Sequence, residues 1–100
     1  IDGKILKNIF EDIKSSAKNL ILIILQKNKS KLEIYVLVTQ DCFKVINAKE
    51  IISYINDSIG STGGGREDLA QAGLEYQKNI DDLVNTIKEN TLSLLKSKVK

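Results

Sequence analysis

The sequence predicts an α/β domain in which helices form a two-layer or sandwich arrangement on a small mixed β-sheet, in the order helix-strand-strand-helix-strand-helix. Three observations carry that expectation. Apolar residues recur at helical spacing near both ends and in the middle of the chain, two apolar runs between residues 19 and 39 have strand character, and no linker, repeat or low-complexity stretch interrupts them. A chain of 100 residues makes one domain, residues 1–100, long enough to bury roughly 60–70% of its unfolded surface in a single core.

The elements follow in order. Asp2 is placed to cap a first helix whose Ile5, Leu6, Ile9, Phe10, Ile13 and Ala17 form one apolar stripe. The run from Asn19 to Gln26 is apolar on both faces and rich in isoleucine, so it reads as a strand covered from two sides. Lys27-Asn28-Lys29-Ser30 is the turn into a second strand, where Leu32, Ile34, Val36 and Val38 alternate with Glu33, Tyr35, Leu37 and Thr39 to complete an antiparallel hairpin. Thr39-Gln40-Asp41 turns the chain again. Asn47 and Glu50 make a capping-box start for a helix carrying Ala48, Ile51, Ile52, Ile55 and Ile59 on one side, and Gly60 is suited to end it in the left-handed conformation. Gly63-Gly64-Gly65-Arg66 then reads as a loop, and Leu69 to Gly73 as a third strand or extended segment reached by a right-handed crossover. A last helix from about Glu75 to Lys98 sets Tyr76, Ile80, Leu83, Val84, Ile87, Leu92 and Leu95 along a drifting face.

Composition narrows the chemistry. With no histidine and a single cysteine, Cys42, the chain has no donor set for a zinc cluster and no Cys–His nucleophile pair, so neither a catalytic nor a metal-binding residue is expected. The acid pairs Glu11-Asp12, Glu67-Asp68 and Asp81-Asp82 are adjacent in sequence, which on a helix points them apart, although Glu67-Asp68 flanks the glycines and could orient Arg66. The longest apolar run, Leu20 to Leu25, falls well short of the ~20 residues of a bilayer span. A lone thiol suits a reducing compartment, and a cytoplasmic location away from membranes is expected. Methionine is absent and Ile1 is no natural start, so a segment of a larger protein is expected.

A net charge of +2 is too small to mark a nucleic-acid binder by itself, which leaves local features to do so. Fourteen of the fifteen basic residues are lysine. The one arginine, Arg66, follows three glycines whose unhindered N–H groups favour an anion, and its planar fork suits phosphate, carboxylate or carbonyl. Its competing role is a tie to Glu67, Asp68 or a loop carbonyl. Gly63, Gly64, Gly65, Arg66 and Gln71 are therefore the candidate nucleic-acid-binding residues, joined by Lys27, Lys29 and Lys31, which alternate through the turn. Lys96, Lys98 and Lys100 suit the negative end of the last helix. No Gly-Lys-Ser or Gly-Lys-Thr follows the glycines and no GxGxxG is present, so ATP binding by this chain is not expected.

The stretch Gly63-Gly64-Gly65-Arg66-Glu67-Asp68-Leu69-Ala70-Gln71-Ala72-Gly73 resembles the hallmark segment of the C-terminal domain of alanyl-tRNA synthetase, and the order of elements extends the resemblance over nearly the whole chain. Glu67 stands where that family commonly has proline, and Leu74 where it commonly has a further glycine. The resemblance implies a DHH-associated domain, a C-terminal fragment of a larger synthetase, that contacts the elbow of alanine-specific tRNA and links aminoacylation to editing. For the parent it implies an alanine–tRNA ligase using ATP and magnesium with zinc-dependent editing, none of these cofactors being held by the fragment. Its implied partners are tRNA, the remaining synthetase domains and, through the neighbouring C-terminal part, itself. A rival is the substrate-binding domain of a DHH-family phosphoesterase acting on oligonucleotides or cyclic dinucleotides. Those enzymes usually carry histidine after the glycines, where this chain has Arg66 and Gln71. A third reading is a dimerising module that uses the closing helix.

Overall fold

The computed structural model describes residues 3–76 and 80–98. In chain order they form α1 (Gly3–Ser16), β1 (Ile21–Asn28), β2 (Lys31–Val38), a 3-10 turn (Gln40–Cys42), α2 (Ala48–Ile59), β3 (Thr62–Gly65), β4 (Leu69–Glu75) and α3 (Ile80–Lys98). The α/β class and the flanking helices are as expected, but the sheet holds one more strand. Its order is β1-β2-β4-β3, and every neighbouring pair is antiparallel, so the sheet is not mixed. The α2 crossover joins β2 to β3, whose directions agree, and β4 is inserted between them.

Alternation along the strands explains the layers. Leu32, Ile34, Val36 and Val38 of β2 and Ala70 and Ala72 of β4 point to one face, where they pack with Ile51, Ile52 and Ile55 of α2 and Leu83, Ile87 and Leu94 of α3. The intervening Tyr35 and Leu37 point the other way and join Leu6 and Phe10 of α1, with Leu22, Ile24 and Leu69 against them. The run from Leu20 to Leu25 is thus apolar throughout because it feeds both cores. At the centre of the smaller core the Phe10 and Tyr35 rings lie 6.0 Å apart in a tilted arrangement.

Local signals hold where side-chain or backbone geometry enforces them. Asn47 has extended backbone and its Oδ1 accepts from Glu50 N at 2.8 Å, while Gly60 ends α2 at φ 78°. The expected cap Asp2 lies outside the described residues, as does Lys100. The β1–β2 turn is tighter than expected, since Asn28 pairs with Lys31 and only Lys29 and Ser30 are left between. Glu75 belongs to β4, and Tyr76 N donates to Ser30 O at 2.8 Å, so α3 starts later than the sequence indicates. Two stripes also rotate: Ile5 and Ile9 on α1 and Val84 and Leu92 on α3 are exposed, whereas Thr91 and Leu94 are buried.

Candidate nucleic-acid interface on the glycine strand

The three glycines do not form a loop. They are the body of β3, an edge strand paired with β4 in the register Gly63–Ala72, Gly64–Gln71, Gly65–Ala70. Glycine has low strand propensity, so pairing and anchoring from outside must impose the extended form. Asn56 of α2 supplies one anchor, donating from Nδ2 to Gly63 O at 3.1 Å while its Oδ1 accepts from Ser61 Oγ at 2.5 Å. The other anchor is the β3–β4 turn. Arg66 N donates to Leu69 O at 2.9 Å, and the tip is then pinned by two carbonyls: Glu67 O accepts from Ala48 N at 2.8 Å and Asp68 O from Val38 N at 2.9 Å. The first of these bonds satisfies an otherwise orphaned donor at the start of α2. It uses only the carbonyl of residue 67, which proline would also possess, so Glu67 can stand there. Leu74 packs against the larger core from within β4.

The glycines differ in what they permit. A Cβ on Gly63 would lie 2.2 Å from Gln71 O and 2.5 Å from Ala72 Cα, and one on Gly65 would lie 2.5 Å from both Ala70 Cα and Leu69 O. Those two positions need glycine for the close approach of β3 to β4. A Cβ on Gly64 would meet nothing within 4 Å, and Gly60 alone among the glycines has positive φ. Neither packing nor backbone geometry calls for glycine at position 64.

Gly64 and its partner Gln71 are exposed on the α1 side of the sheet, where α1 stops short of β3. Two shallow depressions meet at this pair. One, of 410 Å³, is bordered by Lys7 and Glu11 of α1 with Arg66; the other, of 420 Å³, is bordered by Lys31 and Glu33 with Gly63 and Gly73. Lys31 thus joins Gly63, Gly64, Gly65, Arg66 and Gln71 on one face. Lys27 and Lys29 line neither depression. Lys7, which the sequence reading did not single out, is detectable in retrospect because helical spacing sets it with Glu11 and Lys14 on one flank of α1.

Beside this face, at the hairpin tip, a 680 Å³ cleft opens between the end of α1 and the 3-10 turn. Asp68 organises it. Its Oδ2 lies 2.5 Å from Lys14 Nζ and its Oδ1 lies 3.3 Å from Arg66 Nε. Partial burial opposes ionisation of Asp68, but the bond and charge of Lys14, aided by Arg66, outweigh it and hold the carboxyl below its usual range. The same bond raises the Lys14 ammonium above its ordinary value. Arg66 stays 69% exposed, so Asp68 steadies the inner nitrogen while the terminal amino groups remain available to a partner. The expected tie to a neighbouring carboxylate and an open binding fork therefore coexist. Across the cleft, the Asp41 carboxyl is held low chiefly by its hydrogen bond with the Thr39 side chain and also by Asn19 N, which donates to it at 2.7 Å.

What the arrangement offers is a flat glycine floor, one amide and a rim of mixed charge. Among the described residues no three His, Cys, Asp or Glu side chains gather to hold a metal ion, and no described helix is long and apolar enough to cross a membrane. Fold and surface together define a small α/β domain with a glycine strand at one sheet edge. The chain belongs to the DHHA1 domain family, whose profile matches residues 1–91. It is similar to alanine–tRNA ligases of Ruthia magnifica (35% identical over 71 residues, 71% of this chain and 8% of that protein) and Endomicrobium trichonymphae (34% over 84 residues, 83% and 10%). The chain spans about a tenth of the length of these relatives. Among solved structures it is similar to the C-Ala domain of Aquifex aeolicus alanyl-tRNA synthetase, with a TM-score of 0.73 and 26% identity over 90% of this chain and 81% of that one. The resemblance read from the glycine motif is thus upheld by both kinds of relative.

Proposed function

We propose that this domain is the RNA-binding C-terminal part of an alanine–tRNA ligase, and that it engages the elbow of alanine-specific tRNA through the face of Gly64, Gln71, Arg66, Lys7 and Lys31. The observation that carries the reading is Gly64: its missing side chain serves no packing or conformational need and leaves the strand open to close approach. An elbow is recognised by shape through backbone, sugar and exposed bases, for which a few well-placed donors on a weakly charged domain suffice. Lys27 and Lys29, at the far end of the β1–β2 hairpin, are secondary contacts in this scheme. The parent is a cytoplasmic ligase, and the ATP, magnesium and zinc it requires belong to its other domains. Zinc would find no donor set in this chain, which has no histidine and one cysteine, and no glycine-lysine phosphate loop is present to hold ATP with its magnesium.

The test is an anisotropy titration of the chain with alanine tRNA, short single-stranded RNA and a cyclic dinucleotide, at two salt concentrations. Folded tRNA should bind best. Arg66→Lys should weaken it roughly tenfold, as expected for loss of one bidentate contact, with unchanged thermal stability. Unaltered affinity with lowered stability would reduce Arg66 to a tie for Asp68. Preference for the dinucleotide would support the phosphoesterase class instead.

A further inference from the structure

β3 is bonded to the sheet on one side only, and the register shows which groups do the bonding. Arg66 N donates to Leu69 O across the turn, so hydrogen-bonded pairs recur at every second residue beyond it, at Gly64–Gln71 and Thr62–Gly73. On the other flank of β4, Tyr76 N donates to Ser30 O and Val38 N to Asp68 O, which places the bonded pairs with β2 at Leu74, Ala72 and Ala70. The amides of β4 are thus divided: Gln71 and Gly73 serve β3, and Ala70 and Ala72 serve β2. Gly63 and Gly65 belong to the closely spaced, non-bonded pairs, which is where an added Cβ would collide, and their own backbone groups face outward.

All four residues of β3 are exposed, so no buried side chain ties the strand down, and glycine gives up more backbone freedom than any other residue on being ordered. What holds it besides the ladder is Asn56. From the last turn of α2 its Nδ2 reaches the outward Gly63 O at 3.1 Å, and its Oδ1 accepts from the Oγ of buried Ser61 at 2.5 Å. The second bond fixes the amide, because an oxygen held by Ser61 leaves the nitrogen for Gly63. Both ends of the segment are rigid: Gly60 takes the left-handed conformation with its N–H on Asn56 O, and the tip is pinned through Glu67 O and Asp68 O.

We infer that β3 is a two-state edge and that Asn56 is its latch. Latched, the strand lies in the ladder; unlatched, residues 61–65 bow away from β4 between the two fixed ends while the rest of the domain stays folded. Gly64 stands beside Gln71 only in the latched state. The inference rests on the RNA-binding reading of that face, for which Asn56 becomes a positioning residue: it lines neither depression at the Gly64–Gln71 pair, yet it sets the fraction of molecules in which the face exists. A ligand that takes only the latched form must in turn hold the latch shut.

Hydrogen exchange of the chain, followed amide by amide with and without alanine tRNA, tests this. In the free wild type Gln71 and Gly73 should exchange at least about tenfold faster than Ala70 and Ala72, at rates that dilute urea leaves unchanged. Asn56→Ala, which costs α2 nothing in helix propensity, and Asn56→Asp, which keeps the acceptor for Ser61 Oγ and lacks only the donor, are the test variants. Each should quicken Gln71 and Gly73 by about two- to tenfold, the worth of one hydrogen bond. Asn90→Ala should not, because the bond of Asn90 Nδ2 to Ser58 Oγ survives when β3 opens. Saturating tRNA should slow the same two amides at least about tenfold. Equal protection of the two amide pairs, parallel urea dependence, or indifference to both Asn56 variants would overturn the latch. Bound tRNA that leaves Gln71 and Gly73 unslowed would overturn its coupling to RNA. Failure of the wild type to bind tRNA would instead remove the RNA-binding reading, with the latch still decided by the exchange rates of the free protein.

Discussion

Replacing the three glycines of β3 by alanine, one at a time, separates what the fold needs from what a ligand needs. The new methyl on Gly63 or Gly65 would sit 2.2–2.5 Å from backbone atoms of β4, which cannot move aside as the end of a flexible side chain could. The strands must part, at the cost of ladder bonds along a four-residue pairing. Overpacking of this kind costs about 1–3 kcal/mol or more. For a domain of this size each kcal/mol moves the midpoint by about 4–8 °C, so both variants should melt roughly 5–20 °C lower. Gly64→Ala meets no atom within 4 Å and no positive φ. It should stabilise by about 0.4–1 kcal/mol through the lost freedom of the unfolded chain. Thermal and urea unfolding read all three, and tRNA titration of the same proteins reads the ligand side, where Gly64→Ala should be the damaging substitution despite its higher melting point. Equal melting points across the series, or Gly64→Ala as the least stable, would refute the alternation argued from the strand pairing.

Three further outcomes are expected. Asp68→Asn removes the half-buried bond to Lys14 and should destabilise by about 1.5–3 kcal/mol, nearly all of it through Lys14, since the exposed Arg66 pair contributes little; urea titration of Asp68→Asn beside Lys14→Met checks the partition. Because folding holds Asp41 and Asp68 below the usual 3.8, their contribution is complete above that pH and disappears as pH falls through the lower folded values, so wild type and Asp68→Asn should converge in stability only in that acid range. Lys29 occupies a left-handed conformation at φ 60°, and Lys29→Gly should stabilise the hairpin by about 1 kcal/mol in an unfolding curve.

The features legible in advance are those written in side chains with one geometric use. Asn47 with Glu50 and the glycine at 60 specify a helix start and stop regardless of what packs around them, and the alternation from Leu32 to Val38 fixes both faces of β2. β3 was hidden for the opposite reason. Three glycines have no periodicity, and their extended form is dictated by β4, Asn56 and the pinned turn, all remote in sequence. Once β3 is missed, the neighbour of β4 is missed with it, and the sheet is taken for mixed. In the candidate site the same limit applies: Arg66, Gln71 and the glycines declare themselves as a cluster, whereas the convergence of Lys7, Lys14 and Lys31 upon them depends on how α1 lies over the sheet and on the register of β2 against β4. Lys27 and Lys29 show the converse, being neighbours of Lys31 in sequence that the strand pairing carries elsewhere.

To a pattern search Gly63-Gly64-Gly65 is one motif, yet it records two obligations that can be lost separately. A lineage that abandoned its ligand but kept the fold would have to retain the outer glycines and would be free to let the middle one drift. A library randomised at all three positions can replay that history in the laboratory. Selection for protease resistance alone should restore glycine at 63 and 65 and leave 64 diverse, and only a subsequent round that retains RNA binders should bring the middle glycine back. The spacing of the survivors would then tell heredity of shape from heredity of use.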